Sequence, residues 1–122
     1  MDQNNNSNIR VILRSKVFNE FYDSLRQKAK EKFEYVILVA QKVYNVSTKF
    51  IKHLENTELY EMRISGGSNE YRSVLFAIDN SNVIEAKRLI LLNGFLKKSS
   101  KDYKKQIEIA QKILKGLKQW YS

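Results

Sequence analysis

The sequence contains no cysteine and no proline. Without a thiol, disulfide scaffolds, zinc ribbons and cysteine nucleophiles are excluded. Without proline, so are proline-rich linkers. The lack of cysteine fits a cytoplasmic protein. Histidine occurs once, as His53; a lone imidazole with no positioned partner is a weak sign of catalysis, so His53 reads as structural. Long apolar runs are missing as well. No window approaches the roughly 18 residues of a membrane span, and no membrane partner is expected. Residues 1–8 have neither the basic nor the apolar region of a signal peptide. They read as a disordered lead-in to a single domain over residues 9–122.

What is present suffices for one domain: 122 residues, 43% hydrophobic, with seven tyrosines and six phenylalanines for a small core. The net charge is +9 and unevenly placed. Residues 1–86 hold 12 basic and 11 acidic side chains, whereas residues 87–122 hold 10 basic and 2 acidic ones. A field this concentrated attracts a polyanion, although the same lysines also form a solvated face.

Periodicity supplies the elements. Ile9 to Leu13 is β-rich and reads as a first strand. Ser15 reads as a helix cap, followed by Val17, Phe18, Phe21, Tyr22 and Leu25 at helical spacing. The charged stretch at residues 28–32 suggests a break. A second stripe follows at Phe33, Val36, Ile37, Ala40, Val43 and Tyr44, with residues 45–49 as the exit. Leu59 to Ile64 alternates with period two, residues 65–69 form a turn, and Tyr71 to Ile78 is the next strand. After a turn at residues 79–82, Leu89 to Phe95 reads as a strand that is apolar on both faces at its start, as a central strand is. The last helix follows Ser99 and Ser100. Its stripe is Tyr103, Ile107, Ala110, Leu114, Leu117 and Tyr121, widened by Ile109, Ile113 and Trp120. The expected fold class is α+β, with helices packed on one face of a mostly antiparallel sheet. The other face is then open for function.

Period two also sorts the charges. Leu59, Glu61 and Arg63 share one face, while Tyr60, Met62 and Ile64 point towards the helices. If the two strands form a hairpin, Arg72 comes close to Arg63. Asn93-Gly94-Phe95-Leu96-Lys97-Lys98 follows the third strand. Glu, Arg, Arg and Lys converging on a sheet face suit a phosphodiester: arginine grips phosphate oxygens, and a carboxylate or lysine moves a proton. A plainer reading has Arg63 and Arg72 pairing with Glu61 and Glu70 across the hairpin, each pair worth about 0.2–1 kcal/mol. Gly66-Gly67 is a turn and not a phosphate loop, since no Gly-Lys-Ser/Thr follows.

The blocks Leu59-Tyr60-Glu61-Met62-Arg63-Ile64, Tyr71-Arg72 and Leu91-Leu92-Asn93-Gly94-Phe95-x-Lys97-Lys98, with Ile107 and Ala110 in the last helix, resemble the RelE/HigB toxins of bacterial type II toxin–antitoxin modules. The likeness is to the phage-derived HigB-type branch and spans about residues 9–120. It implies a RelE-like fold, with two N-terminal helices on one face of the sheet and a C-terminal helix. It also implies a ribosome-dependent mRNA endoribonuclease that needs no metal or other cofactor. In such enzymes the 2′-hydroxyl attacks the adjacent phosphate in the ribosomal A site, leaving a 2′,3′-cyclic phosphate. Implied partners are mRNA, the ribosome and a helix-turn-helix antitoxin, through which the complex reaches operator DNA.

Carried over by position, Arg63 and Arg72 hold the scissile phosphate, and Lys97 and Lys98 supply the basic segment. Asn93 stands where many relatives have histidine. Asparagine does not titrate near neutral pH, so an acid or base role passes to Lys97, Lys98, Glu61 or a tyrosine. Lys101, Lys104, Lys105 and Tyr71 are the expected RNA contacts. Lys104, Lys112, Lys115 and Lys118 on the last helix also read as a solvated face, part of which suits an acidic antitoxin. Two rival readings are a ParE-like inhibitor of DNA gyrase and an RNA-binding module without chemistry.

Overall fold

A computed structural model describes residues 8–121 and the side chains up to residue 119. Of the expected lead-in, residues 1–7 lie outside the described part, as do the Trp120 and Tyr121 side chains. The elements are β1 (Val11–Arg14), α1 (Lys16–Asp23), α2 (Gln27–Lys42), β2 (Ile51–His53), β3 (Leu59–Gly66), β4 (Asn69–Ala77), β5 (Arg88–Leu91), β6 (Phe95–Leu96) and α3 (Ser100–Tyr121). The sheet runs β1-β5-β4-β3-β2, with β6 also paired to β4. β1 lies parallel to β5 and the other pairings are antiparallel. The protein is thus α+β with a mixed open sheet. Among the described residues, no helix is long and apolar enough to cross a membrane.

Ser15 caps α1 as expected: its Oγ accepts from the Phe18 amide at 3.0 Å and donates to the Leu92 carbonyl at 2.7 Å. The break between the first two helices is not at residues 28–32. It falls at Ser24 to Arg26, where Arg26 is extended. The lysines instead occupy the first turns of α2, where their long stems are good helix formers on an outer face. Just past the expected exit at residues 45–49 the chain forms β2, whose three residues pair with Tyr60 to Met62.

The one-face arrangement of helices is corrected by the structure. α1 and α2 bury Phe18, Phe33, Val36, Ile37 and Ala40 against Met62, Ile64 and Leu75 on the first face. α3 crosses the second face, where Ala110 and Leu114 pack on Leu59, Val74, Leu92 and Phe95. The first face is already filled, and a helix with an apolar stripe must bury it somewhere. The face expected to be open is therefore largely covered.

The expected strand from Leu89 to Phe95 is also interrupted. Leu91 pairs with Leu75 and Phe95 with Arg72, so the segment between them carries one residue more than β4 does opposite. This is a bulge. The Asn93 side chain fills the gap in the ladder, its Oδ1 accepting from the Val74 amide at 3.0 Å. The stretch Val83-Ile84-Glu85-Ala86, which lengthens the link before β5, closes the edge of the first core with Val83 and Ala86.

Candidate active site

The β3–β4 hairpin turns at Gly67, whose φ of +64° is in the left-handed region that glycine enters without a Cβ clash. Its register sets Arg63 directly opposite Arg72 and Glu61 opposite Val74. Both arginines and Glu61 therefore share the face crossed by α3, as the alternation predicts. The Glu61 side chain is only 4% exposed, and Arg72 only 6%, whereas Arg63 is one-third exposed. The face is right, but the group is half-roofed and not open.

Glu61 is the hub. Its Oε2 is 2.9 Å from Arg63 Nε and its Oε1 is 3.8 Å from Arg72 Nε. Tyr103, from the first turns of α3, donates its hydroxyl hydrogen to Glu61 Oε1. Arg72 Nη1 also reaches Glu70 Oε1 at 3.2 Å and the Tyr71 carbonyl at 2.9 Å. Of these ion pairs only Arg72–Glu61 crosses the hairpin; Arg63–Glu61 and Arg72–Glu70 each join residues two apart in one strand. The Arg63 contact is out of line for a directed hydrogen bond. Among the described residues, the buried Nε atoms of Arg10, Arg63 and Arg72 have no directed hydrogen-bond partner, and the last two face one carboxylate. Buried donors are normally satisfied, so the two arginines hold Glu61 by charge with their N–H groups out of line.

The surroundings shift nearby groups. Burial, and next the Glu61 carboxylate, push the Tyr103 hydroxyl far up, so it stays protonated and donates. A hydrogen bond from Ser65, and next one from Arg72, hold Glu70 below its ordinary value. A cleft of about 360 Å³ opens beside the hub, bounded by Lys52, His53, Arg63, Lys97, Lys98 and Tyr103. Lys97 and Lys98 are exposed on its rim. Among the described residues, no group of three or more His, Asp or Glu side chains could hold a metal ion.

Other expected site residues are not brought to this cleft. Asn93 is 1% exposed. Its Nδ2 donates to the Gln106 carbonyl at 3.1 Å, and its backbone carbonyl accepts from Ser73 Oγ at 2.6 Å. Its polar groups thus tie β4 to α3. Tyr71 is on the opposite sheet face, since neighbours in a strand alternate, and its ring packs at 5.9 Å from Phe33. Lys101, Lys104 and Lys105 line a separate shallow hollow on the outside of α3 with Asp102 and Glu108.

Tyr103 escaped the sequence reading, which placed it in the apolar stripe of the last helix. The signal was its hydroxyl, because a tyrosine at the head of a buried stripe needs a polar partner. Lys52 was also missed, because β2 was not read as a strand.

A search of curated proteins found no match to this chain. A family model described as phage derived protein Gp49-like (DUF891) matches residues 20–115, from α1 to the second half of α3. That span holds Glu61, Arg63, Arg72, Lys97, Lys98 and Tyr103. The chain belongs to the Gp49-like family of phage-derived proteins.

Proposed function

We propose that this protein is the toxin of a type II toxin–antitoxin module and cuts mRNA on the ribosome. The reading is supported by the family, which is associated with toxin–antitoxin proteins of the RelE/HigB type. The observation that carries it is Arg63, whose Nε–H meets Glu61 out of line on the wall of a cleft rimmed by lysines, with Arg72 directly opposite it in the hairpin. A phosphodiester in that cleft offers Arg63 an oxygen in line with its N–H.

In this mechanism the 2′-oxygen bonds to phosphorus and the P–O5′ bond breaks. Arg63 and Arg72 hold the non-bridging oxygens and offset the charge that builds on them. As the guanidiniums turn to phosphate they leave Glu61, which then takes the proton of the 2′-hydroxyl. Lys97 or Lys98 returns a proton to the leaving 5′-oxygen. The products are a 2′,3′-cyclic phosphate and a 5′-hydroxyl end. A helix-turn-helix antitoxin neutralises the toxin and carries the complex to operator DNA.

The test is a cell-free translation reaction with message ends mapped. Wild-type protein is expected to cut messages and leave 5′-hydroxyl ends, with the Arg63→Ala and Arg72→Ala rates lower by about 100-fold or more. Intact messages with translation undiminished would overturn the reading. The burial of Arg72 favours a second one, a gyrase inhibitor of the ParE kind that needs no exposed catalytic group. DNA breaks with intact RNA would decide for it.

A further inference from the structure

One helix does not roof the whole second sheet face. The five strands from β1 to β2, at about 4.8 Å spacing, span about 19 Å, and a helix about 10 Å across covers half of that. The first face has α1 and α2 for the same width, and the second has α3 alone. The register shows where the cover runs out. Leu59, Phe76, Ile90 and Leu13 are direct partners in one row across β3, β4, β5 and β1. Leu59, under α3, is 1% exposed, and Leu13, at the far end of the row, is 38% exposed. In the next row on this face Val11 is 55% exposed, beside Arg88 and Ile78. The result is a groove of about 210 Å³. Its floor is Leu13, Phe76, Ile78 and Ile90, and its wall is Leu114 and Leu117 of α3. Ile113, one turn before Leu117 and half-buried, extends that wall, while Gln111 and Lys115 stand on the other flank of the helix.

Charge and shape select the occupant. The charged residues of the lining are Arg88 and Lys118, and none is acidic. Lys118 is engaged: its Nζ lies 2.9 Å from Glu58 and 5.1 Å from the Phe76 ring centre. Arg88 is exposed on the floor. Its neighbour Asp79 spends its carboxylate on the Lys87 and Arg88 backbone amides at 3.0–3.1 Å. A carboxylate that enters the groove therefore meets Arg88, in a segment where residues 87–122 hold ten basic and two acidic side chains. A second copy of the chain fits poorly. It brings the same cationic segment, and its helices already bury their stripes in its own two cores. Nor do the first seven residues, Met-Asp-Gln-Asn-Asn-Asn-Ser, carry an apolar stripe. A strand added at the outer edge of β1 would lengthen the sheet and leave the floor bare. A helix lying 8–10 Å from α3, the usual packing distance of about one helix width, covers it.

We propose that this groove receives an acidic, amphipathic helix of a partner protein, which lies beside α3 over β5 and β1. Its apolar stripe rests on Leu13, Ile90 and Leu117, and one of its carboxylates pairs with Arg88. Groove and cleft share no lining residue, so the fate of the nuclease reading does not decide this one.

The experiment titrates the full chain into a labelled synthetic peptide of about eighteen residues, with leucines at helical spacing and glutamates on both flanks of the stripe. Fluorescence anisotropy at physiological salt reads the binding. Leu13→Glu and Arg88→Glu are each expected to weaken it about tenfold. A peptide with lysine in place of glutamate should bind Arg88→Glu more tightly than wild type. Both positions are exposed, so circular dichroism should show folded variants. A scrambled peptide of the same composition should bind at least about tenfold more weakly than the striped one. Equal binding of the scrambled peptide would mean bare charge attraction and overturn the groove. So would wild type that does not bind the striped peptide at about 1 mM, or binding indifferent to both substitutions. Sedimentation that finds a wild-type dimer, dissolved by Leu13→Glu, would overturn the assignment to another protein in favour of a second copy.

Discussion

Arg10 shows how much one side chain does here. It is 3% exposed, and its guanidinium donates to the carbonyls of Ala40, Val43, Tyr44 and Ile84 at 2.6–2.8 Å. Three of these belong to the end of α2 and its exit, where carbonyls lack helical partners and a cation suits the dipole. The fourth ties in the segment ahead of β5. Burial lowers the Arg10 pKa, yet the group stays charged. Arg10→Met should therefore cost about 3 kcal/mol or more, because several buried carbonyls lose their donor. Arg10→Lys should recover only part, lacking the planar fork. Urea midpoints of the three proteins check both statements. Glu34 gives a pH-dependent counterpart. Arg14 grips both its oxygens at 3.1 and 2.9 Å, and Tyr22 adds a hydroxyl at 2.6 Å. The Arg14 hydrogen bond is the chief cause that holds Glu34 below its ordinary value of 4.5. A depressed carboxylate stabilises the fold above its unfolded pKa and stops doing so as pH falls through the folded one. Wild type should thus exceed Glu34→Gln in urea midpoint at pH 7, and the gap should close by pH 3.

At the level of elements, the bulge between β5 and β6 explains Gly94. Its φ is ordinary, and the constraint is a neighbour: a Cβ there would lie 2.3 Å from Phe21 Cδ2 on α1. Gly94→Ala should cost about 1–3 kcal/mol by overpacking. Adding Phe21→Leu should return part of it, a non-additive pair in denaturation measurements. Asn93-Gly94-Phe95 could be read in the sequence as strand residues, because apolar content does not show one extra residue in a register. The alternation of β3 and the stripes of α1, α2 and α3 were legible for the opposite reason, since each repeats its period, and β4 was legible as a β-rich run between two turns. β2 has three residues, too few for any period. A stripe also tells that a helix has an apolar face but not which sheet face it will cover, so α3 was misplaced. In the site, Glu61, Arg63 and Arg72 followed from alternation plus one turn. Tyr103 did not, since its partner is 42 residues away.

Across the whole molecule, charge is divided by place. Two arginines and one glutamate sit half-roofed at the hub, while Lys101, Lys104 and Lys105 line a hollow on the outside of α3. Changing those three lysines to alanine should leave the fold and the single-turnover cleavage rate intact but weaken ribosome association, with a shallower salt dependence. Co-sedimentation with ribosomes at rising salt, alongside cleavage at saturating protein, separates the two effects. The parallel pairing of β1 with β5 has a consequence in time. Val11 meets Arg88, and Arg10 reaches Ile84, so the first strand waits for residues more than seventy positions later. Such distant pairing is slow to close. During synthesis, a chain stopped short of Leu91 holds two helices and a hairpin with no central strand between β1 and β4. Sheet and site therefore assemble late and together, after most of the message has been read.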